Sequence, residues 1–155
     1  MAVLGPLRIS GVVVVDAVGI EVPGHPVADF FSLSFAELAE HSYADPERYG
    51  IDPSTLPPEA LRAHGRQPGL TRGVRGTDHD RPDAPRPARR RGRTDLVLWG
   101  EADRIGDVDF GRAFAATIPG AEFRLIANAG HLPQIEAPDV LVELVRSFAD
   151  LHRRA

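Results

Sequence analysis

Two loops of the sequence each carry a side chain suited to acid–base chemistry. Asp103 follows an apolar run at residues 96–99, and His131 follows another at residues 123–126. A carboxylate that accepts a hydrogen bond from imidazole Nδ1–H fixes the tautomer of the ring, so that Nε2 is free to act as a base. Imidazole suits this task because its ordinary pKa of about 6.5 lies near neutral pH. Asp103 and His131 are therefore candidates for the acid and base of a catalytic site.

The segments around these loops alternate between strand and helix patterns. Apolar runs at residues 12–15, 96–99 and 123–126 predict three strands, and helices are predicted over residues 109–117 and from Pro138 onward. Such alternation is typical of a parallel sheet, in which functional groups gather beyond the carboxyl ends of the strands. We therefore predict an α/β fold, with helices flanking a parallel sheet, that brings both candidate side chains to one edge of the sheet.

Other segments differ in their patterns. Ser34 and Glu37 have the spacing of a capping box, which predicts the start of a short helix. Residues 65–93 are rich in arginine, proline and glycine and have few large apolar side chains, which predicts a disordered segment. The helical period of the final segment places five apolar residues on one buried face: Val140, Leu141, Leu144, Val145 and Phe148.

The composition excludes several classes of function. With no cysteine, the chain has no disulfide, no catalytic thiolate and no cysteine-bound metal. Its net charge of -4 gives no reason to expect nucleic acid or an anionic membrane as a partner. No apolar run approaches the roughly 18 residues that a membrane span needs. The first residues also lack the basic region of a secretory signal, so we expect a cytoplasmic protein.

The sequence around the two candidates resembles a known family. Residues 96–103 (LVLWGEAD) and 129–138 (AGHLPQIEAP) together resemble the C-terminal signature of the α/β-hydrolase family, and residues 12–19 resemble the strand before that family's cap. The resemblance implies that Asp103 is the acid and His131 the base of a nucleophile–His–Asp triad that hydrolyses ester or related bonds. It implies a small-molecule substrate and no metal or organic cofactor.

On this resemblance the chain divides into four parts. Residues 1–20 contain a strand of the hydrolase core, and residues 21–64 are a remnant of the helical cap. Residues 65–94 form the disordered segment, and residues 95–155 are the C-terminal part of the core, with the acid and the histidine. We therefore expect a partial α/β-hydrolase fold with a cap remnant.

The nucleophile is the main departure from the family's pattern. The family places it on a Gly-x-Ser-x-Gly turn ahead of the first strand seen here, and the 155 residues contain no such sequence. Ser10 lacks the leading glycine and is predicted to lie inside a strand. We therefore expect a truncated protein that is inactive alone and that self-associates through an exposed sheet edge. The alternative is a non-catalytic binding or partner protein built on half of the hydrolase fold.

Overall fold

The computed structural model describes residues 10–30, 32–59, 61 and 94–153. Within these residues, three parallel strands form a sheet in the order β1-β2-β3, and helices flank it. The strands are β1 (Val13–Val15), β2 (Leu96–Gly100) and β3 (Glu122–Ile126). The helices are α1 (Phe35–Ser42), α2 (Pro46–Tyr49), α3 (Val108–Thr117), α4 (Pro133–Glu136) and α5 (Pro138–Arg153), and Pro53–Thr55 forms a 3-10 turn. The predicted α/β class and parallel sheet are confirmed.

The central strand β2 holds the core together, because it pairs on both sides and is buried along its whole length. Its side chains alternate between the two faces of the sheet. Leu96 and Leu98 pack with Phe148 of α5 on one face, and Val97 and Trp99 pack with Phe110 of α3 on the other. The result is three layers, helix on sheet on helix, that fix the positions of the loops after β2 and β3.

The segment from α1 to the 3-10 turn follows local capping rules. Ser34 accepts a hydrogen bond from the Glu37 backbone while the Glu37 carboxylate reaches back to the Ser34 N–H, so the predicted capping box is present. Asp45 caps α2 and Asp52 caps the 3-10 turn, each directly before a proline at the first helical position. These caps explain why helical pieces this short end and restart where they do.

Three sequence-based expectations need correction or fall outside the described residues. Ser10 is exposed and precedes β1, which begins at Val13, so its predicted place inside a strand is wrong. Val140 is 46% exposed, whereas Phe148 is buried, so the inward face of α5 is narrower than predicted. Of the predicted disordered segment, residues 65–94, the structure describes Thr94 alone.

Candidate active site

The loop that follows β2 places Asp103 deep in the molecule. Asp103 is 4% exposed, and its Oδ1 accepts hydrogen bonds from the N–H groups of Ile105 (2.8 Å) and Gly106 (3.2 Å). The loop is tied back to the sheet by the Trp99 indole, whose Nε1–H donates to the Gly106 carbonyl at 2.8 Å. Trp99 is fully buried against α3. The carboxylate is therefore held by a rigid turn that leaves its Oδ2 for another partner.

The loop after β3 places His131, and it is anchored to α1. The His131 N–H donates to the Ser42 carbonyl at 2.7 Å, at the end of α1. A Cβ at Gly130 would collide with the same carbonyl, so glycine is required for this close approach. The loop that carries His131 therefore packs closely against the end of α1.

Glu136 in α4 links the same two regions. Its Oε2 accepts from the Gly130 N–H at 2.6 Å, and its Oε1 accepts from the Ala44 and Asp45 N–H groups at 2.9 and 3.2 Å. One carboxylate thus satisfies backbone donors on the loop that carries His131 and on the turn after α1. Sequence reasoning included Glu136 in the family signature but did not predict this role.

The structure brings the two predicted residues together. His131 Nδ1 and Asp103 Oδ2 are 2.9 Å apart; the Asp103 side chain is completely buried and the His131 side chain is 23% exposed. Burial by itself lowers the pKa of His131, but the hydrogen bond and charge of Asp103, together with the charge of Asp16, raise it above the ordinary value of 6.5. The arrangement leaves Nε2 of His131 as the ring atom that is free to exchange a proton.

Asp16 is a third acid at this edge, and sequence reasoning missed it. It directly follows β1, is 6% exposed, and its Oδ1 accepts from the Gly100 N–H at 2.7 Å. Burial raises the pKa of Asp16 to about 7, and it interacts electrostatically with Asp103 and His131. A single aspartate at the end of a strand is ordinarily a turn residue, so the sequence carried no signal for it.

A cavity of about 250 Å³ opens beside His131. Most of its wall is apolar, and the one ionisable side chain in it besides Tyr43 is His131. It lies between α1 and the loops after β2 and β3, and its apolar lining residues are Phe30, Phe35, Leu38, Ala39, Ile51, Ile105 and Leu132. Within the described parts of the chain, no group of three or more His, Asp or Glu side chains could hold a metal ion, and no helix is long and apolar enough to cross a membrane.

The architecture and the sequence both match one family. The family model for the alpha/beta hydrolase family matches residues 1–144. The chain belongs to the alpha/beta hydrolase family. The resemblance seen in residues 96–103 and 129–138 is thereby confirmed, and so is the fold class that it implied.

Individual members of the family are similar to different extents. "Uncharacterized hydrolase YugF" of Bacillus subtilis (strain 168) is 26% identical over 104 residues, which are 63% of this chain and 37% of that protein. This chain therefore spans well under half the length of that relative.

Two solved structures show the same fold. One is the 2-hydroxy-6-oxo-6-phenylhexa-2,4-dienoate hydrolase BphD from Rhodococcus sp. strain RHA1, at a TM-score of 0.60 and 20% identity, with 99% of this chain and 58% of that chain covered. The other is a thermophilic esterase from Thermogutta terrifontis, at a TM-score of 0.53 and 21% identity, with 97% of this chain and 60% of that chain covered.

Proposed function

We propose that Asp103 and His131 are the acid and base of a hydrolase triad that cleaves esters or related acyl bonds. The observation that carries the proposal is the 2.9 Å contact between Asp103 Oδ2 and His131 Nδ1, at the carboxyl edge of a parallel sheet in a member of this family. The buried carboxylate holds the ring in one tautomer, and the raised pKa of His131 suits a residue that gains and returns a proton.

The roles follow from the chemistry of acyl transfer. His131 Nε2 takes the proton of the nucleophile as the nucleophile attacks the carbonyl carbon of the substrate, and the ring then donates that proton to the leaving alcohol. In the second half of the reaction, His131 activates water against the covalent acyl intermediate, and the nucleophile is released. Asp103 stabilises the imidazolium during both steps without changing its own protonation.

We infer from the cavity that the substrate presents an uncharged, apolar group beside His131. The cavity is lined mainly by aromatic and aliphatic side chains, and among the described residues no lysine or arginine lines it to bind a charged acyl chain. Its α1 wall comes from the segment that we propose to be a cap, residues 21–64. Small aryl or short alkyl esters fit this lining, because burial of their apolar surface supplies binding free energy without desolvating a charge.

The nucleophile is not recognisable in these 155 residues. No Gly-x-Ser-x-Gly sequence is present, and Ser10 lies ahead of β1, at the end of that strand opposite to His131. Ser42 is the one serine that lines the cavity with His131, but it lies at the end of a helix rather than on a strand–helix turn. We therefore propose that a further segment supplies the nucleophile and that these 155 residues alone do not turn over esters.

The first test uses the 155-residue protein on an activated aryl ester. We expect a hydrolysis rate at background, unchanged in His131→Ala and in Ser42→Ala. Turnover that is lost in both variants would show that Ser42 supplies the nucleophile and would overturn the proposal of an external one.

The second test joins these residues behind the nucleophile-bearing half of an active α/β-hydrolase. In a joined protein with a cooperative thermal transition, we expect ester turnover that is lost in His131→Ala and in Asp103→Asn. Turnover that is the same in both variants and in the parent would refute the proposed roles of these residues.

A further inference from the structure

Asp16 lies in an unusual backbone and packing environment. Its φ angle is 41°, in the left-handed region that residues other than glycine seldom adopt, and its side chain is buried at the carboxyl end of β1. Its backbone N–H still donates to the Leu98 carbonyl, so the strand pairing continues up to it. The left-handed turn directs the Asp16 carboxyl toward β2, where the Gly100 N–H donates to it. A strained residue held in place by its surroundings is a reason to look for a function.

The two buried acids differ in the number of donors that they receive. Asp103 accepts from Ile105 N–H, Gly106 N–H and His131 Nδ1. Asp16 accepts from Gly100 N–H alone, and its Oδ2 is the one buried side-chain oxygen or nitrogen without a hydrogen-bond partner among the residues that the structure describes. A buried carboxylate is stabilised by each hydrogen bond that it accepts. Of the two acids, Asp103 is therefore the better place for a negative charge.

Asp16 and Asp103 meet at Gly100, whose N–H donates to Asp16 Oδ1 and whose carbonyl accepts from the Asp103 N–H. The negative charge of Asp103 raises the pKa of Asp16. Two ionised carboxylates are both acceptors, so no hydrogen bond can form between them unless one carries a proton. A proton on Asp16 Oδ2 would convert the unpartnered oxygen into a donor and would remove the repulsion between the two acids.

We propose that Asp16 is a positioning residue whose protonated carboxyl donates a hydrogen bond to Asp103, which keeps the negative charge beside His131. This proposal rests on the proposed roles of Asp103 and His131. Asp16 does not reach the substrate cavity and acts through Asp103. When Asp16 is protonated, it is a neutral donor to Asp103. An ionised Asp16 would instead be a second negative charge that attracts the imidazolium of His131.

The charges that act on Asp16 agree with this assignment. Burial is the largest of the effects that together raise the pKa of Asp16 to about 7; the negative charge of Asp103 also raises it, while the Gly100 N–H and His131 lower it. Asp103 and His131 are the ionisable groups that face Asp16 from the loops after β2 and β3. Since Asp16 and His131 interact, their protons are released in coupled steps.

The test is an NMR titration of the 155-residue protein, which needs no turnover. With carbon-13 in the aspartate carboxyl groups, we expect the Asp16 signal to titrate about three pH units above the ordinary aspartate value near 4, whereas that of the exposed Asp107 titrates below it. In Asp103→Asn the midpoint of Asp16 should fall, because a negative neighbour is removed. An Asp16 midpoint at or below that of an ordinary aspartate would overturn the proposal.

Two substitutions at Asp16 separate positioning from simple packing. Asp16→Asn keeps a neutral donor at the site, whereas Asp16→Leu keeps the same branching of the side chain and has no donor. We expect the His131 Nδ1–H resonance to persist at neutral pH in Asp16→Asn and to weaken in Asp16→Leu, with both variants retaining the amide spectrum of a folded protein. The His131 midpoint should be lower in Asp16→Asn than in the parent, since Asp16 can no longer ionise beside it.

A His131 Nδ1–H resonance that is equally weak in Asp16→Asn and in Asp16→Leu would refute the proposal. Loss of folding in Asp16→Asn would do so as well, because the neutral amide should substitute for a protonated acid. A failed ester assay would bear on the triad, while these titrations bear on Asp16, so the two failures can be told apart.

Discussion

Two histidine–aspartate pairs in the described part of the chain have nearly the same hydrogen bond and different surroundings. His131 Nδ1 lies 2.9 Å from Asp103, and His25 Nδ1 lies 2.7 Å from Asp107. The side chains of the first pair are 23% and 0% exposed, whereas those of the second are 34% and 50% exposed. Distance alone would rank the second pair as the stronger one.

The difference lies in what surrounds each carboxylate. Asp107 is the N-cap of α3, where it accepts from the Phe110 N–H, and its partner His25 belongs to the turn after β1. Its hydrogen bond raises the pKa of His25 at a site that water reaches freely. Asp103 is buried and accepts hydrogen bonds from its own loop, and His131 lines an apolar cavity. A histidine–aspartate contact therefore indicates a candidate site only when burial and a cavity accompany it.

The largest expected difference between the two histidine–aspartate pairs is in catalysis. In the joined protein described above, His131→Ala should lower kcat/KM by about 10³-fold or more, because the general base of the triad is lost. His25→Ala should change it by less than about twofold, since that ring does not line the cavity. Steady-state kinetics on one aryl ester measures both. A large loss in His25→Ala, with the fold intact, would show that the two pairs do not differ in function as proposed.

Stability should separate the two aspartates by a smaller margin. Asp103→Ala leaves the N–H groups of Ile105 and Gly106 buried without an acceptor, which we expect to cost about 2–4 kcal/mol. Asp107→Ala removes an exposed helix cap and should cost about 1 kcal/mol. Urea unfolding at neutral pH gives both values, provided that the slope of the transition is unchanged.

Asp109→Ala is the matched control for these stability measurements. Its 3.9 Å contact with Arg112 is exposed and should contribute less than about 0.5 kcal/mol. Equal costs for Asp103→Ala and Asp107→Ala would mean that the loop after β2 does not depend on its buried carboxylate.

The two pairs also differ in a supporting carboxylate. Glu136 accepts from the loop that carries His131, whereas no carboxylate in the described residues supports the backbone beside His25 in this way. Glu136→Gln replaces one carboxylate oxygen by an NH₂ group, which is a donor. The side chain can then no longer accept from both the loop that carries His131 and the turn after α1. We expect a loss of about 1–2 kcal/mol in the free energy of unfolding. The exposed Glu122→Gln, which pairs with Arg124 at the surface, is the control and should change stability by less than about 0.5 kcal/mol. An unchanged free energy of unfolding in Glu136→Gln would show that Glu136 does not help to hold the loop of His131 in place.

The sequence predicted the pair that lies on regular elements and missed the groups that depend on tertiary contacts. Asp103 and His131 follow adjacent strands, so the rule that loops meet at the carboxyl edge was sufficient to bring them together. The contact of His25 with Asp107 joins residues 82 positions apart, through a turn whose path no local pattern specifies. Asp16 was missed for a related reason, because its surroundings are formed by β2 and by the loops after β2 and β3.

Edges and faces were predicted less accurately than the order of elements. The run of valines at residues 12–15 predicted a strand, and the structure has β1 at Val13–Val15, one residue shorter and half-buried. Val140 fits the helical period yet is exposed, because the face of α5 that meets the sheet is narrow and is filled by Leu141, Leu144, Val145 and Phe148. A period identifies which residues share a helix face, but the neighbouring layer determines how wide the buried part of that face is.

The smallest expected effect is the response of the two histidines to salt. Both pKa values are raised above 6.5, so the protonated rings stabilise the fold fully below that pH, and the stabilisation is lost as the pH rises through each raised pKa. The Debye length falls from about 10 Å at 0.1 M to about 3 Å at 1 M salt, which screens exposed pairs far more than buried ones. The His25 midpoint should therefore move toward 6.5 by a few tenths of a unit at 1 M salt. The His131 midpoint should stay in place, because its partner Asp103 is inaccessible to ions.

Histidine ring NMR titrations at the two salt concentrations measure both midpoints, with Asp107→Asn and Asp103→Asn identifying the partner of each ring. Equal salt shifts at the two histidines would show that the Asp103–His131 pair is as open to solvent as the surface pair, which would remove the property that distinguishes it.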